Sequence, residues 1–384
     1  MRIVTTDLVN GKLEPDIRTL QEAARALAAS LEPIAIEADS SSDLDDRVRL
    51  ALAESGLVRA VVPAAYGGRS DQVDPLAACV VREALMGVCS HADSLFALQG
   101  IGSYAITAGG TDAQRQEWLP RVASLDAIAA LALTETGAGS DLKAIATTLD
   151  ERDGELVLSG EKSFISNAGA ADFYTTLARE GDVFSLVLVP AAAEGVETRP
   201  LAPLIAPHVI GDVLFRDVRL PLSARLGPPG GGFDLVLATL ATFRISVAGT
   251  AVGLAEAALH EAVRHARERE QFGRPLLRLG PVAQLLADSW ADVEMARLLA
   301  YDTARRAREN PLAELDRSSL AKLAATEAAS RVVDRCVQVM GRWGLISGSK
   351  IEKLYRQSRP MRIYEGASEV LRLGIARRLS QEVP

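Results

Sequence analysis

The period of the apolar residues changes twice along this chain, and those two changes limit what it can fold into. From Pro15 to about Gly110 the apolar side chains recur at helical spacing, as in Ile17, Leu20, Ala24, Leu27 and Leu31, then Val48, Leu52 and, beyond a Gly56 stop, Leu57. Pro33, the Ser40-Ser41-Ser42 cluster and Tyr66-Gly67-Gly68 punctuate this block, the last as an ordered loop between helices. Between about Asp126 and Pro221 the pattern becomes short β-rich runs, GELVLSGEKSFI, FYTTLAR, VFSLVLVP and DVLFRDVRLP, parted by Gly, Pro and Asp. From Gly232 helix returns, with Val236, Leu240, Phe243, Val247, Ala251, Leu254 and Ala258 forming one apolar stripe over many turns. Blocks in the order helix, strand, helix lack the βαβα alternation of a doubly wound sheet, which disfavours that class. The expected fold is mainly α with a middle β domain: an N-terminal helical domain over 1–125, a small β-barrel or sandwich over 126–228 and a C-terminal helical bundle over 229–384.

A chain of 384 residues, 48% apolar and 24% charged, can bury a large core. Its formal net charge of -8 comes with no basic stripe interleaved with aromatics, so nucleic acid is not expected as a partner. Cys79, Cys89 and Cys336 have no CxxC spacing, which argues against a disulfide framework or a zinc site and fits a reducing cytoplasm. The N-terminal MRIVTTDLVNGKLEPD lacks the apolar core of a signal peptide, and no apolar run is expected to reach the roughly 20 residues of a membrane span. Of the four histidines, only His260 and His265 are at helical proximity, and both are expected on a solvated face rather than at a metal.

Several short segments carry chemistry. TETGAGSD, Thr134 to Asp141, follows the apolar run IAALAL and turns through Gly137 and Gly139, where small residues let backbone N–H groups approach a ligand closely. In GEKSFISNA, Gly160 to Ala168, strand alternation sends Phe164 and Ser166 to one face. ARERE-QFGRPL closes a helix with charges and breaks through Gly273 and Pro275, as a C-capping turn does. Near the C-terminus, MRIYEGASEV places the single carboxylate of Glu365 between an apolar-aromatic run and Gly366, just ahead of a short helix. Enclosure in an apolar site raises a carboxylate's pKa and makes it a usable general base.

These four segments, in this order and over nearly the whole chain, resemble the acyl-CoA dehydrogenase family of flavoproteins. The resemblance implies a helical domain, a β domain and a C-terminal four-helix bundle, with FAD as cofactor and a homodimer or homotetramer as assembly. It implies Glu365 as the base that takes the α-proton of an acyl thioester, with Arg244 close to it. Tyr364, Gly366, Phe243 and Phe96 become the expected substrate-facing positions. Thr134, Gly139, Ser140, Phe164 and Ser166 are the implied flavin contacts, with Phe164 covering the ring and the Ser166 hydroxyl approaching N5. Arg269 and Phe272, with Gln338 and Gly341 of CVQVMGRWG, are implied contacts to the FAD of a neighbouring subunit. The resemblance further implies an electron-transfer flavoprotein as the electron acceptor.

Departures from the family pattern concern the thiol carrier and the dinucleotide end. Ala241 replaces an aspartate, Gln357 an acid, Ala367 a threonine and Arg342 a glycine, while LIAPHVIGD brings His208 to the expected thioester entrance. They point to an unusual substrate, either a short or cyclic acyl-CoA or an acyl group on a carrier protein. Two other readings remain: an acyl-thioester oxidase or monooxygenase of the same fold, and a flavin-free relative that binds without catalysis.

Overall fold

The computed structural model describes residues 13–382, and these group into two compact units. The first comprises residues up to Asp39, Pro75–Asp93 and the described residues from Arg244 onward, and the second comprises Ser40–Asp74 and Ser94–Phe243.

The first unit is helical. Its elements are α1 (Pro15–Ala38), α3 (Pro75–Met86), the start of α4 (Ser90–Gly109), most of α6 (Gly232–Glu268), then α7 (Gly280–Arg306), α8 (Leu315–Met340), α9 (Lys350–Ser358) and α10 (Ser368–Glu382). Pro33 lies inside α1 and does not punctuate the chain as expected. Burial of Leu31, Ala35 and Ala38 on either side keeps the last turns helical despite the missing donor. Helices α3 and α6 pack backbone to backbone at two glycines. A methyl group on Gly249 would stand 2.4 Å from the Cys79 carbonyl oxygen, and one on Gly253 would stand 2.0 Å from that of Glu83. Buried ion groups tie the bundle: Arg297 bonds Glu83 (3.1 Å), Glu256 (2.9 Å) and Glu294, and Lys353 bonds Asp39 (2.6 Å).

The second unit carries α2 (Asp46–Ser55), the rest of α4, α5 (Asp112–Ser124), the start of α6 and one eight-stranded sheet. Gly56 stops α2 in the left-handed conformation (φ 67°), as its position predicts. The strands are β1 (Ala129–Ala132), β2 (Thr148–Arg152), β3 (Glu155–Ser166), β4 (Phe173–Glu180), β5 (Val183–Pro190), β6 (Val196–Pro200), β7 (Ile210–Pro221) and β8 (Arg225–Leu226). They run in the order β6-β7-β3-β2-β4-β5-β8, with β1 parallel to β4. Leu149, Leu156, Leu158, Tyr174, Val187 and Phe215 fill the buried face. The Gln99 side chain joins α4 to the start of β1, donating to Ala127 O (2.7 Å) and accepting from Ala129 N (2.8 Å).

Contrary to the expected absence of an apolar run of membrane-spanning length, one helix reaches that length. Helix α6 has an 18-residue window of mean hydropathy 1.7, so it is long and apolar enough by composition to cross a bilayer. That window is 72% buried inside the protein, so its apolar stripe is satisfied by packing, as in a core helix.

Candidate active site

In the helical unit, α9 gives way to a 3-10 turn at Pro360–Arg362, whose first carbonyl accepts from the amides of Ile363 (2.8 Å) and Tyr364 (3.1 Å). The chain then turns left-handed at Glu365 (φ 52°) and Gly366 (φ 109°) before α10 begins. A glutamate at positive φ is uncommon and costs on the order of 1 kcal/mol, so the surroundings must impose it. They do so from both sides. Glu327 on α8 accepts from Arg362 (3.0 Å) ahead of the turn and from Ser368 (2.7 Å) behind it. Arg244 on α6 donates to the Glu365 carbonyl (2.9 Å) and to Ser319 (3.0 Å), and Lys322 on α8 donates to the Gly366 carbonyl (2.7 Å).

This clamp leaves the reactive atoms of Glu365 unengaged. Its Oε2 is buried without a hydrogen-bond partner, and its backbone N–H makes no hydrogen bond to any described residue. Burial pushes the carboxyl above the usual glutamate range, and the opposing pull of Arg82, Arg244 and Lys322 does not cancel that rise. Arg82 is held by Asp93 in a two-pronged pair (2.9 and 3.0 Å) and donates to Ser246 (2.9 Å). Tyr364 is 37% exposed, with its ring 6.0 Å from the Lys322 ammonium. A carboxylate of raised pKa beside a free amide donor is suited to taking a proton next to a carbonyl.

In the β unit, TETGAGSD follows strand β1 and is braced from within. Glu135 accepts from the amides of Ala146 (2.6 Å) and Thr147 (3.0 Å) and from Lys162 (2.8 Å), which also donates to the Leu133 carbonyl (3.0 Å). Burial opposes ionisation of Glu135, but these hydrogen bonds outweigh it and hold the carboxyl below the usual range. Gly139 and Ser140 are exposed and Thr134 is half-buried, with open space around Gly139. The pairing of β3 with β7 slips between Lys162 and Ile165, and Phe164 adopts φ 57° there, leaving its ring 56% exposed while Ile165 is buried. Ser166 shares a hydrogen bond with His208 (2.8 Å).

The other expected residues fall into distinct places. Arg269 and Phe272 lie at a hairpin of Glu270–Gln271 and Arg274–Pro275, not at a simple capping turn. Phe272 (φ 55°) and Gly273 (φ 73°) form its two-residue loop, and the Phe272 ring is 89% exposed. Gln338 is exposed near the end of α8, and Gly341 ends that helix at φ 57°. Phe96 is wholly buried, and Phe243 is buried with its ring edge-on to Tyr104 at 5.7 Å. Gln357 is buried against Ser90 (2.5 Å), inside the Asp39 cluster. His260 is not on a solvated face: it is half-buried, lines a cavity with Glu83 and Glu256, and burial depresses its pKa. Residues that sequence reasoning missed are Lys322, Arg82, Asp93, Glu327 and the Glu135–Lys162 pair.

Fold and site together define a protein of helical and β-sheet parts that presents a buried, unpaired carboxylate on a strained turn. Comparison with known proteins makes that class specific. Residues 14–126, 130–218 and 230–380 match the N-terminal, middle and C-terminal domains of acyl-CoA dehydrogenase. The chain belongs to the acyl-CoA dehydrogenase family, whose members are oxidoreductases. It is 31% identical over 374 residues to the cyclohexane-1-carbonyl-CoA dehydrogenase of Geobacter metallireducens, covering 95% of this chain and 96% of that one. The structure of butyryl-CoA dehydrogenase from Megasphaera elsdenii superposes with a TM-score of 0.91 at 28% identity, covering 96% of this chain and 99% of that one. An acyl-CoA dehydrogenase complexed with FAD from Bacillus anthracis gives a TM-score of 0.91 at 26% identity, over 97% of this chain and 68% of that one.

Proposed function

We propose that this chain is an FAD-dependent acyl-CoA dehydrogenase in which Glu365 is the catalytic base. The observation that carries this reading is the Glu365 carboxyl itself: raised in pKa by burial, unpartnered at Oε2, and held on a left-handed turn whose own N–H is free. Glu365 Oε2 takes the α-proton of the bound thioester. Its backbone N–H donates to the thioester carbonyl as negative charge develops there, which lowers the barrier where charge appears. Arg244 keeps the turn in register through the Glu365 carbonyl.

Bound FAD would supply a two-electron acceptor for the β-hydride, so that loss of one proton to Glu365 and one hydride to the cofactor would leave a 2-enoyl thioester. What supports FAD here is a braced glycine turn with open space at Gly139 and a ring, Phe164, held exposed by a strained backbone. Thr134, Gly139, Ser140, Phe164 and Ser166 are the residues to hold it, with Arg269, Phe272, Gln338 and Gly341 offered to the FAD of a neighbouring subunit in a homodimer or homotetramer. The bare, exposed Phe272 ring supports that assignment, since a large apolar ring left in water favours a covering partner. An electron-transfer flavoprotein is the proposed acceptor and the cytoplasm the proposed location; three buried cysteines, none of them in a disulfide, suit a reducing compartment. A cyclic acyl-CoA is the first substrate to try, after the named activity of the Geobacter relative.

The test is an anaerobic visible spectrum of purified protein before and after cyclic and straight-chain acyl-CoA and acyl-carrier-protein thioesters, repeated with Glu365→Gln. Bleaching of the flavin band by a CoA thioester in the wild type, and not in the variant, is the expected result. The acid limb of the rate should lie above the ordinary glutamate range, because Glu365 must be ionised and burial raises its pKa. A Glu365→Gln protein that still bleaches at the wild-type rate would remove Glu365 from the mechanism.

A further inference from the structure

We propose that Lys322 is a positioning residue for Glu365, holding the turn by its Gly366 carbonyl and placing a buried ammonium beside the base. The inference rests on the dehydrogenase reading above and concerns a residue that makes no part of the proton transfer itself.

Three observations carry it. Lys322 is wholly buried in α8, although the flanking surface of that helix would have kept a lysine in water at no cost. Its Nζ donates to Gly366 O at 2.7 Å, while Arg244 donates to Glu365 O at 2.9 Å, so two consecutive carbonyls of one left-handed turn are each held by a cation. Those two residues have φ of 52° and 109°, and the Glu365 side of the turn is the one a non-glycine residue adopts reluctantly. Pulling both carbonyls toward α6 and α8 fixes the peptide planes on either side of the Gly366 Cα and thereby the direction in which the Glu365 side chain leaves the backbone. No other described residue bonds either carbonyl.

Facing the Lys322 amine are Glu365 and Tyr364 from the turn, Arg244 from α6, Glu327 from its own helix and Glu369 from α10. Burial lowers its pKa to about 8, so the ammonium is lost within the working range of an enzyme. Below that pH a cation stands near Glu365 and favours its ionised form; above it a neutral amine remains, which is a weaker donor to Gly366 O.

The test uses the holoenzyme and reads exchange of the substrate α-proton into deuterated water, which reports proton abstraction separately from the redox step, together with kcat and KM over pH 5–10. For Lys322→Met the expected result is a loss of about 100-fold in exchange and kcat, the scale of a base displaced by roughly an ångström, with KM changed far less. The acid limb set by Glu365 should rise by about one unit when the nearby cation is removed, and the alkaline limb near 8 should vanish. Lys322→Arg should restore most of the rate while also lacking the alkaline limb, because a guanidinium does not titrate there. Wild-type exchange with both limbs unmoved in Lys322→Met would overturn the inference alone. Should Lys322→Met not fold, an alkaline limb near 8 that persists in Lys322→Arg would overturn it as well. A wild-type enzyme that exchanges no α-proton would overturn the dehydrogenase reading and the inference with it.

Discussion

Lys162→Met should destabilise the β unit by about 3 kcal/mol at neutral pH, and the structure says where that figure comes from. Lys162 is wholly buried and its ammonium bonds two acceptors, Glu135 Oε1 at 2.8 Å and the Leu133 carbonyl at 3.0 Å. Removing it leaves the carbonyl without a donor, at roughly 1–3 kcal/mol, and strips the carboxylate of a charged hydrogen bond worth about 1.5–3 kcal/mol. Relief from burying the ammonium offsets part of this, and the Ala146 and Thr147 amides still hold Glu135, which sets the total at the lower end of the roughly 3–5 kcal/mol seen when a buried pair is broken. The sign with pH follows from Glu135. Its carboxyl is held low in the folded protein, so its contribution is complete above the unfolded value of about 4.3 and is lost as pH falls through the folded one. Without Lys162 that folded pKa rises, so the deficit of the variant should narrow as the pH is lowered toward 4. Urea unfolding followed by Trp118 emission is the assay, since Trp118 of α5 is buried against Phe173 of β4, the strand paired with β1, at 4.7 Å, whereas Trp290 and Trp343 are exposed. The double variant Glu135→Gln/Lys162→Met should cost clearly less than the sum of the single changes. Single changes costing under about 1 kcal/mol, or costs that simply add, would refute the reasoning.

Two further substitutions address the cofactor turn and the bundle. Gly139→Ala should leave stability within about 0.5 kcal/mol, since nothing lies within 4 Å of the new methyl, yet it should lower FAD retention on dialysis if the backbone approaches the cofactor there; unchanged retention would take Gly139 out of the cofactor site. Arg297→Met should cost about 3–5 kcal/mol by leaving Glu83, Glu256 and Glu294 without their common cation. Burial already raises the Glu83 carboxyl, and a raised carboxyl binds its proton more tightly in the folded state, so the Tm deficit should grow from pH 5.5 to 8; a deficit flat across that range would count against it.

Much of the fold was legible because it is written in short-range periods. The apolar stripe from Val236 to Ala258 is the buried stripe of α6, and the four β-rich runs fall on β3, β4, β5 and β7. Pro33 was misread because a proline excludes helix only locally, and the packing of Ala35 and Ala38 decides the matter. The hairpin at Phe272 was misread because a charged helix end and a two-residue loop share the same glycine and proline signals. Around Glu365 the motif itself was legible, but its surroundings arrive from helices distant in sequence. Even so, one signal was present: Ser318, Ala321, Lys322, Ala325, Ala329 and Val332 follow the three-and-four spacing of the buried face of α8. A lysine on that stripe must find an acceptor inside.

The placing of the cations explains how one carboxylate can be surrounded by positive charge and remain a base. Arg82, Arg244 and Lys322 all pull the Glu365 pKa down, and three free cations at such a site would leave a weak, fully ionised carboxylate. None of the three is free. Arg82 is paired with Asp93, while Arg244 and Lys322 are turned to the main-chain carbonyls of Glu365 and Gly366. Their charge therefore goes first into fixing the turn, and burial retains control of the side chain, whose pKa stays above the usual range. A strained backbone and a raised carboxyl have one origin, because the same two carbonyl bonds that impose the positive φ keep the cations from closing on Oε2.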